Sequence, residues 1–320
     1  MRRGLVLLLL CTLALAHAAA AAAPRPEARP LLGVFGDAAR FQQLTGQRST
    51  VRHTILGWDQ GHTWGKRLPQ LLSTLRPVPM LGLGTRKGWP SPREAITPAG
   101  IAAGKGDAYL IALNRAIAGF GGRVYLRPLA EMNGHWNVYS AFNQNGSARG
   151  PAYSTATFRK AFARIYVIVH GGPGVPAALR RLGLPGVSAE LPAAPELRVI
   201  WNPQGYGAPN IPANSAQAYY PGDAYVDVVG NDLYDQGFKA EWDAAEALYR
   251  AHPSKPYAFP EWGLWGIDDP AFVERMARFV RTHRRVELIA YFDSKPGSTW
   301  DLASKPRSRA AYRRLITTLG

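Results

Sequence analysis

Glu131 stands in the segment RPLAEMNGHW and Glu261 in KPYAFPEWGLW, each directly after a short apolar run. A lone glutamate in such a place often caps a helix or pairs with an arginine. Two that face one cleft can divide an acid–base task. One stays protonated and hands its proton to a leaving oxygen, while the other stays ionised and attacks carbon, the division of labour in glycoside hydrolysis. Glu131 and Glu261 are the candidates for that pair. The tryptophans point the same way. Of nine, Trp58, Trp64, Trp89, Trp136, Trp201, Trp262, Trp265 and Trp300 lie at or shortly after the end of an apolar run, and only Trp242 lies in a helix-like stretch. Indole faces stack on the apolar C–H faces of sugar rings. Trp136, Trp201, Trp262 and Trp265 are therefore expected to line a polysaccharide groove.

Other polar residues carry less. His135 sits in a loop and reads as solvated, and His53 as a hydrogen-bonded strand residue. Asp223, Asp227, Asp232 and Asp235 fit no EF-hand spacing, so no metal is expected. No GxSxG, HExxH or P-loop pattern occurs, and no cofactor is expected.

Eight apolar runs must position these groups: Leu31–Gly36, Val51–Leu56, Val78–Leu83, Val124–Leu129, Leu197–Trp201, Val226–Asp232, Pro256–Pro260 and Val286–Phe292. Between or after them lie helix-like stretches at Lys66–Leu75, Asp107–Ala118, Ala156–Val169, Ala240–His252, Pro270–Thr282 and Ser308–Thr318. Strands alternating with helices predict parallel strands joined by crossover helices. Eight units in this length predict an α/β fold of the (β/α)₈, or TIM-barrel, type, with its active site at the C-terminal strand ends. An open doubly wound sheet is the alternative, but GVFGDAAR after the first run lacks GxGxxG. Gly171–Glu196, rich in Gly, Pro and Ala, reads as a long connection between strands four and five.

The chain has 320 residues, 47% of them hydrophobic, with a formal charge of +16. Its aromatic content argues against disorder. Arg2 and Arg3, the apolar run Leu5–Ala16 and the alanines before Pro24 form the pattern of a secretory signal peptide, cut near Ala23. Residues 1–23 are thus expected to be a leader and 24–320 one catalytic domain, secreted and without a membrane anchor. The single cysteine, Cys11, falls in the leader, so no disulfide is expected after cleavage. Loss of Arg2 and Arg3 would lower the formal charge from +16 to +14. The basic residues are scattered, which reads as a solvated arginine-rich surface. No nucleic-acid-binding pattern occurs. A monomer is expected.

RPLAEMNGHW resembles the acid/base motif of glycoside hydrolase family 26, the β-mannanase family. YYPGDAYVDVVGNDLYD and KPYAFPEWG are similar to two further blocks of that family, and GVFGD and YFDSKPGSTWDLASKP also fit, all in order. The resemblance implies a retaining endo-β-glycanase, most readily a β-mannanase, with Glu131 as acid/base and Glu261 as nucleophile. It implies a covalent glycosyl-enzyme intermediate. It makes Trp136 a sugar platform, has Tyr234 hydrogen-bond the nucleophile, has Asp232 contact substrate, and places Arg127 and Asn133 beside the acid/base. Two positions depart from the pattern. Ala130 stands where the family has His, and Tyr291-Phe292 where it has Trp on strand eight, which makes Tyr291 a substrate-contact candidate. Mixed-linkage glucan and xylan are alternative substrates, and a non-catalytic polysaccharide-binding barrel is the alternative outside enzymes.

Overall fold

The computed structural model describes residues 29–88, 91, 93–237 and 241–320, so the expected leader and Trp89 lie outside the described residues. Nine strands occupy the eight positions of a closed parallel barrel: β1 (Leu31–Gly36), β2 (Val51–Leu56), β3 (Val78–Leu83), β4 (Val124–Pro128), β5 (Leu197–Trp201), β6 (Val228–Gly230), β7 (Leu233–Asp235), β8 (Tyr257–Leu264) and β9 (Val286–Ser294). β1 pairs with both β2 and β9, and β6 pairs with both β5 and β8, which closes the ring. β6 and β7 both lie along β8 and are two pieces of one strand, parted at Asn231 and Asp232.

Around the barrel run α1 (Ala38–Thr45), α2 (Leu68–Thr74), α3 (Pro98–Ala102), α4 (Asp107–Phe120), α5 (Thr155–His170), α6 (Val175–Arg181), α7 (Trp242–Ala251), α8 (Pro270–Thr282) and α9 (Pro306–Leu315). α8 shows how the sequence makes them. Asp269 accepts the backbone N–H of Ala271 at 2.8 Å, and Pro270 occupies the first turn, where its missing N–H costs nothing. Phe272, Val273, Met276, Ala277, Phe279 and Val280 then form a buried stripe, while Glu274, Arg275, Arg278 and Arg281 face outward.

Two apolar layers follow from strand alternation. Val51, Met80, Tyr125, Ile200, Val228, Ala258, Leu288 and Ala290 point inward and fill the barrel. Their chain neighbours point outward against the helices.

The expected (β/α)₈ barrel is the observed fold, with local differences. α1, α3 and α6 were not expected, and α6 interrupts the connection Gly171–Glu196. Between β5 and β6 the described residues form only short 3₁₀ turns, at Pro212–Asn214, Ala216–Tyr219 and Asp223–Tyr225. β8 runs on through Glu261 to Leu264 rather than stopping at Pro260.

Candidate active site

β4 delivers Arg127 and then Glu131 to the mouth. Tyr125 and Arg127 share the inward phase, so the guanidinium stands just above the barrel filling. Beyond β4 the backbone zigzags through left-handed conformations at Leu129 (φ 51°) and Glu131 (φ 52°). Such values are uncommon outside glycine and cluster at functional sites. Both are held by neighbouring strand ends: Leu129 N–H donates to Leu83 O at 2.8 Å, and Glu131 N–H to Asn202 O at 2.7 Å.

β8 brings Glu261 by a different device. Phe259 faces outward opposite Ile289, and Trp262 faces outward opposite Tyr291. An odd spacing between two outward residues requires an irregularity, and the register shifts between Phe259 and Trp262. That bulge turns Glu261 inward. Gly230, across on β6, leaves the necessary room; a Cβ there would lie 2.6 Å from Asn202 Oδ1 and 3.0 Å from Pro260 Cγ.

The two carboxyls have different surroundings. Glu261 is 8% exposed. Its Oε1 accepts a hydrogen bond from Arg127 Nη1 at 2.5 Å and its Oε2 one from Tyr234 Oη at 2.8 Å. Burial alone would raise its pKa, but the charge of Arg127 and these bonds outweigh it and hold the carboxyl below its usual range. Glu131 has no such cation in contact. Its Oε2 accepts from Trp136 Nε1 at 2.7 Å, and its Oε1 from Gln204 Nε2. Burial, with the negative charge of Glu261 added, pushes its pKa up. Neighbouring carboxyls with pKa values driven apart can divide the roles of acid and nucleophile between them.

Asp232, from the break between β6 and β7, bonds Arg127 Nη2, and Asn202 Oδ1 accepts from Arg127 Nε at 3.0 Å. Burial and the nearby carboxylates push Asp232 well up in spite of Arg127. Three acidic groups around one guanidinium therefore titrate as a unit. His53 lies beneath, its Nδ1 4.0 Å from Glu261 Oε1. Burial drives its pKa down to about 3, so it is neutral. Both His53 nitrogens, Asp232 Oδ1 and Asn202 Nδ2 are buried without a protein hydrogen-bond partner. Unpaired buried polar atoms at one mouth suit a ligand rich in hydroxyls.

The groove is aromatic on the Glu261 side. Phe35 stacks on Phe292 at 4.3 Å, Phe292 meets Trp300 at 5.2 Å, and Trp300 meets Trp265 at 5.0 Å. Trp136 and Trp265 are each 44% exposed.

Glu131, Glu261, Arg127, Asp232, Tyr234 and Trp136 thus come together. Asn133 does not touch Glu131; it is buried and bonds the backbone of Gln204. Trp201, Trp262 and Tyr291 are not groove residues. All three are fully buried because they occupy the outward phase of their strands. Trp262 stacks on Tyr312 at 5.6 Å, Tyr291 packs on Phe41 at 5.5 Å, and Trp201 meets Tyr220 edge-on at 4.8 Å. The inward neighbour Phe292 lines the mouth instead of Tyr291. Gln204 and Asn202 were not singled out in the sequence. Their signal was position alone, a polar pair directly after the fifth apolar run.

A family profile described as "Glycosyl hydrolase family 26" matches residues 204–276, the stretch holding Gln204, Asp232, Tyr234 and Glu261. That match covers less than a quarter of the chain, which over this stretch is similar to glycoside hydrolase family 26. Endoglucanase H of Acetivibrio thermocellus is 22% identical over 289 residues, which covers 86% of this chain but 28% of that protein. The chain therefore spans little more than a quarter of the length of this curated relative. Among solved structures, a mannanase of Bacillus subtilis superposes with a TM-score of 0.60 at 19% identity, covering 91% of this chain and 86% of the other. A family 26 β-mannanase from Bacteroides ovatus gives 0.57 at 15% identity, covering 91% and 88%. At such identities the superpositions speak for the (β/α)₈ barrel fold alone.

Proposed function

We propose that this chain is a member of glycoside hydrolase family 26 and a secreted, monomeric, retaining endo-β-glycanase whose substrate is a β-mannan. The observation that carries the reading is one mouth holding two carboxyls of opposite tendency, Glu261 biased toward its ionised form by Arg127 and Tyr234, and Glu131 biased toward its protonated form by burial and by the charge of Glu261.

In the first step the Glu261 carboxylate attacks the anomeric carbon, and the bond from that carbon to the glycosidic oxygen breaks. The proton of Glu131 goes to the departing oxygen. In the second step Glu131, now ionised, takes a proton from water, and the water oxygen displaces Glu261 from the anomeric carbon. Two inversions give net retention. Trp136 and Trp265 offer ring faces for the sugar chain.

A second reading, a mixed-linkage β-glucan or a xylan as substrate, is favoured by Ala130, which leaves space and no donor beside the acid/base. A reducing-sugar assay over mannan, mixed-linkage glucan and xylan separates the substrates, and proton NMR of fresh product reads the anomer. Retention is expected, and an inverted first product overturns the mechanism. Glu261→Ala is expected to abolish turnover on every substrate. Glu131→Ala is expected to spare dinitrophenyl glycosides relative to polysaccharide, because a good leaving group needs little protonation. Equal losses on both substrates would exclude Glu131 as the acid.

A further inference from the structure

We propose that Gln204 is a positioning residue for the acid/base, setting the orientation and proton affinity of the Glu131 carboxyl from the loop after β5. The proposal rests on the assignment of Glu131 made above.

Both carboxyl oxygens of Glu131 are occupied by donors from different elements. Trp136 Nε1, on Glu131's own loop, donates to Oε2 at 2.7 Å, and Gln204 Nε2 donates to Oε1. A glutamine side chain is flexible, and it can orient another group only if its own backbone is fixed. Here it is fixed twice by one buried residue. Gln204 N–H donates to Asn133 Oδ1 at 2.8 Å, and Gln204 O accepts from Asn133 Nδ2 at 3.0 Å. Asn133 O in turn accepts from Ala208 N–H and from Asn214 Nδ2, each at 2.8 Å. Asn214 Oδ1 accepts from Tyr219 Oη at 2.7 Å. Asn133 and Asn214 are both almost wholly buried. Fully satisfied buried networks of this kind hold one geometry. Two residues before Gln204, Asn202 O takes the Glu131 N–H. The loop after β5 is therefore stitched to the acid/base loop along its length, and Gln204 is the point where that stitching reaches the carboxyl.

Two consequences follow. With Oε1 and Oε2 each tied, the plane of the carboxyl is set before substrate arrives, which is how positioning lowers a barrier. A donor to a carboxylate also favours its ionised form. Burial and Glu261 push Glu131 up, and Gln204 limits that rise. The result is an acid strong enough to protonate a poor leaving group in the first step and able to ionise for the second.

The test compares wild type, Gln204→Leu and the isosteric Gln204→Glu. Three readouts apply: activity on the polysaccharide that wild type cleaves, activity on the dinitrophenyl β-glycoside of the same sugar, and the carboxyl ¹³C titration of Glu131 without substrate. In both variants kcat/KM on polysaccharide is expected to fall by roughly tenfold or more, and that on the dinitrophenyl glycoside by less than about threefold. The alkaline limb of the pH profile and the ¹³C midpoint of Glu131 are expected to move to higher pH. Equal losses on the two substrates with an unmoved ¹³C midpoint overturn the proposal and leave Gln204 a merely structural residue. If wild type cleaves no polysaccharide yet the ¹³C midpoint moves as expected, the assigned reaction fails while the control of Glu131 by Gln204 stands.

Discussion

Arg127 shows how much of the site one residue can hold. Its guanidinium is 3% exposed and contacts Glu261, Asp232 and Asn202 at once. Removing one partner of a buried ion pair strands the other, typically at about 3–5 kcal/mol. Arg127→Met is therefore expected to destabilise the protein by that order at neutral pH, measured by urea unfolding. The pH dependence has a definite sign. The folded pKa of Glu261 lies below its unfolded value. Its ionisation thus contributes stability above the ordinary glutamate pKa, about 4.3, and this is lost as pH falls through the folded value. In the variant the raising effect of burial is no longer offset by Arg127 and lifts the Glu261 pKa above its unfolded value, so the deficit should shrink as pH falls from 7 toward about 4, where the stranded carboxylate protonates. In parallel the acid limb of kcat/KM should move to higher pH. A deficit that is constant from pH 7 to 4 would show lost packing rather than lost charge. At this scale the meeting of Glu131 and Glu261 at one site was readable because they stand in distinctive segments. The phase of a side chain was less readable. Trp201, Trp262 and Tyr291 were placed one residue off the groove, because nearness to a strand end does not say which way a residue points, and the bulge at Glu261 reverses the phase where it matters.

Among elements, most strands were legible because parallel buried strands are short apolar runs with sharp polar ends. β1, β2, β3 and β5 have the expected bounds. The sixth strand is parted at the buried polar pair Asn231 and Asp232, and α6 was hidden by its Gly- and Pro-rich surroundings. What fastens that long connection was not visible in the sequence. Arg164, fully buried on α5, donates to Asp107 Oδ1 at 2.9 Å and Oδ2 at 2.5 Å at the start of α4. Its Nη1 donates to Pro185 O at 2.7 Å, and Asn114 Nδ2 to Pro192 O at 2.9 Å. One guanidinium thus joins two helices and the connection after them. Asp107→Ala strands Arg164 and is expected to cost about 3 kcal/mol, the lower end of the range for a broken buried pair because Asp107 is 20% exposed. Circular dichroism under urea reads it. Asp107→Leu combined with Arg164→Met should recover part of the loss, since the pair itself contributes less than the stranded charge costs. A single-variant loss below about 0.5 kcal/mol, the ordinary range for surface changes, would show that the pair is not holding the helices together.

For the whole molecule, the balance of charge stands apart from the active site. The chain carries a formal +16. The outer helices concentrate it. α9 holds Arg307, Arg309, Arg313 and Arg314 without an acid, and the outward face of α8 sets Arg275, Arg278 and Arg281 beside Glu274 alone. α8 and α9 pack together, and Arg314 reaches Glu274 at 3.2 Å, while Arg307 lies 3.6 Å from Asp268. Salt acts on this surface in two opposing ways. It weakens the exposed pairs, each contributing about 0–1 kcal/mol. It also screens repulsion among the excess cations, over a Debye length that falls from about 30 Å at 0.01 M to about 10 Å at 0.1 M. Arginines three residues apart on one helix face sit well inside either length, and each such like-charge contact costs a few tenths of a kcal/mol. The formal charge of +16 leaves cations in excess over the whole chain, so screening should win. Tm measured by calorimetry is expected to rise by a few degrees between about 10 and 300 mM NaCl, the direction that relief of self-repulsion demands. Arg278→Glu places an acid within one turn of both Arg275 and Arg281. It should raise Tm at low salt and flatten its rise with NaCl. Because α8 lies outside the barrel, kcat on polysaccharide should not change. A wild-type Tm that falls with added salt would mean that the ion pairs outweigh the repulsion, and Arg278→Glu would then bring no gain at low ionic strength.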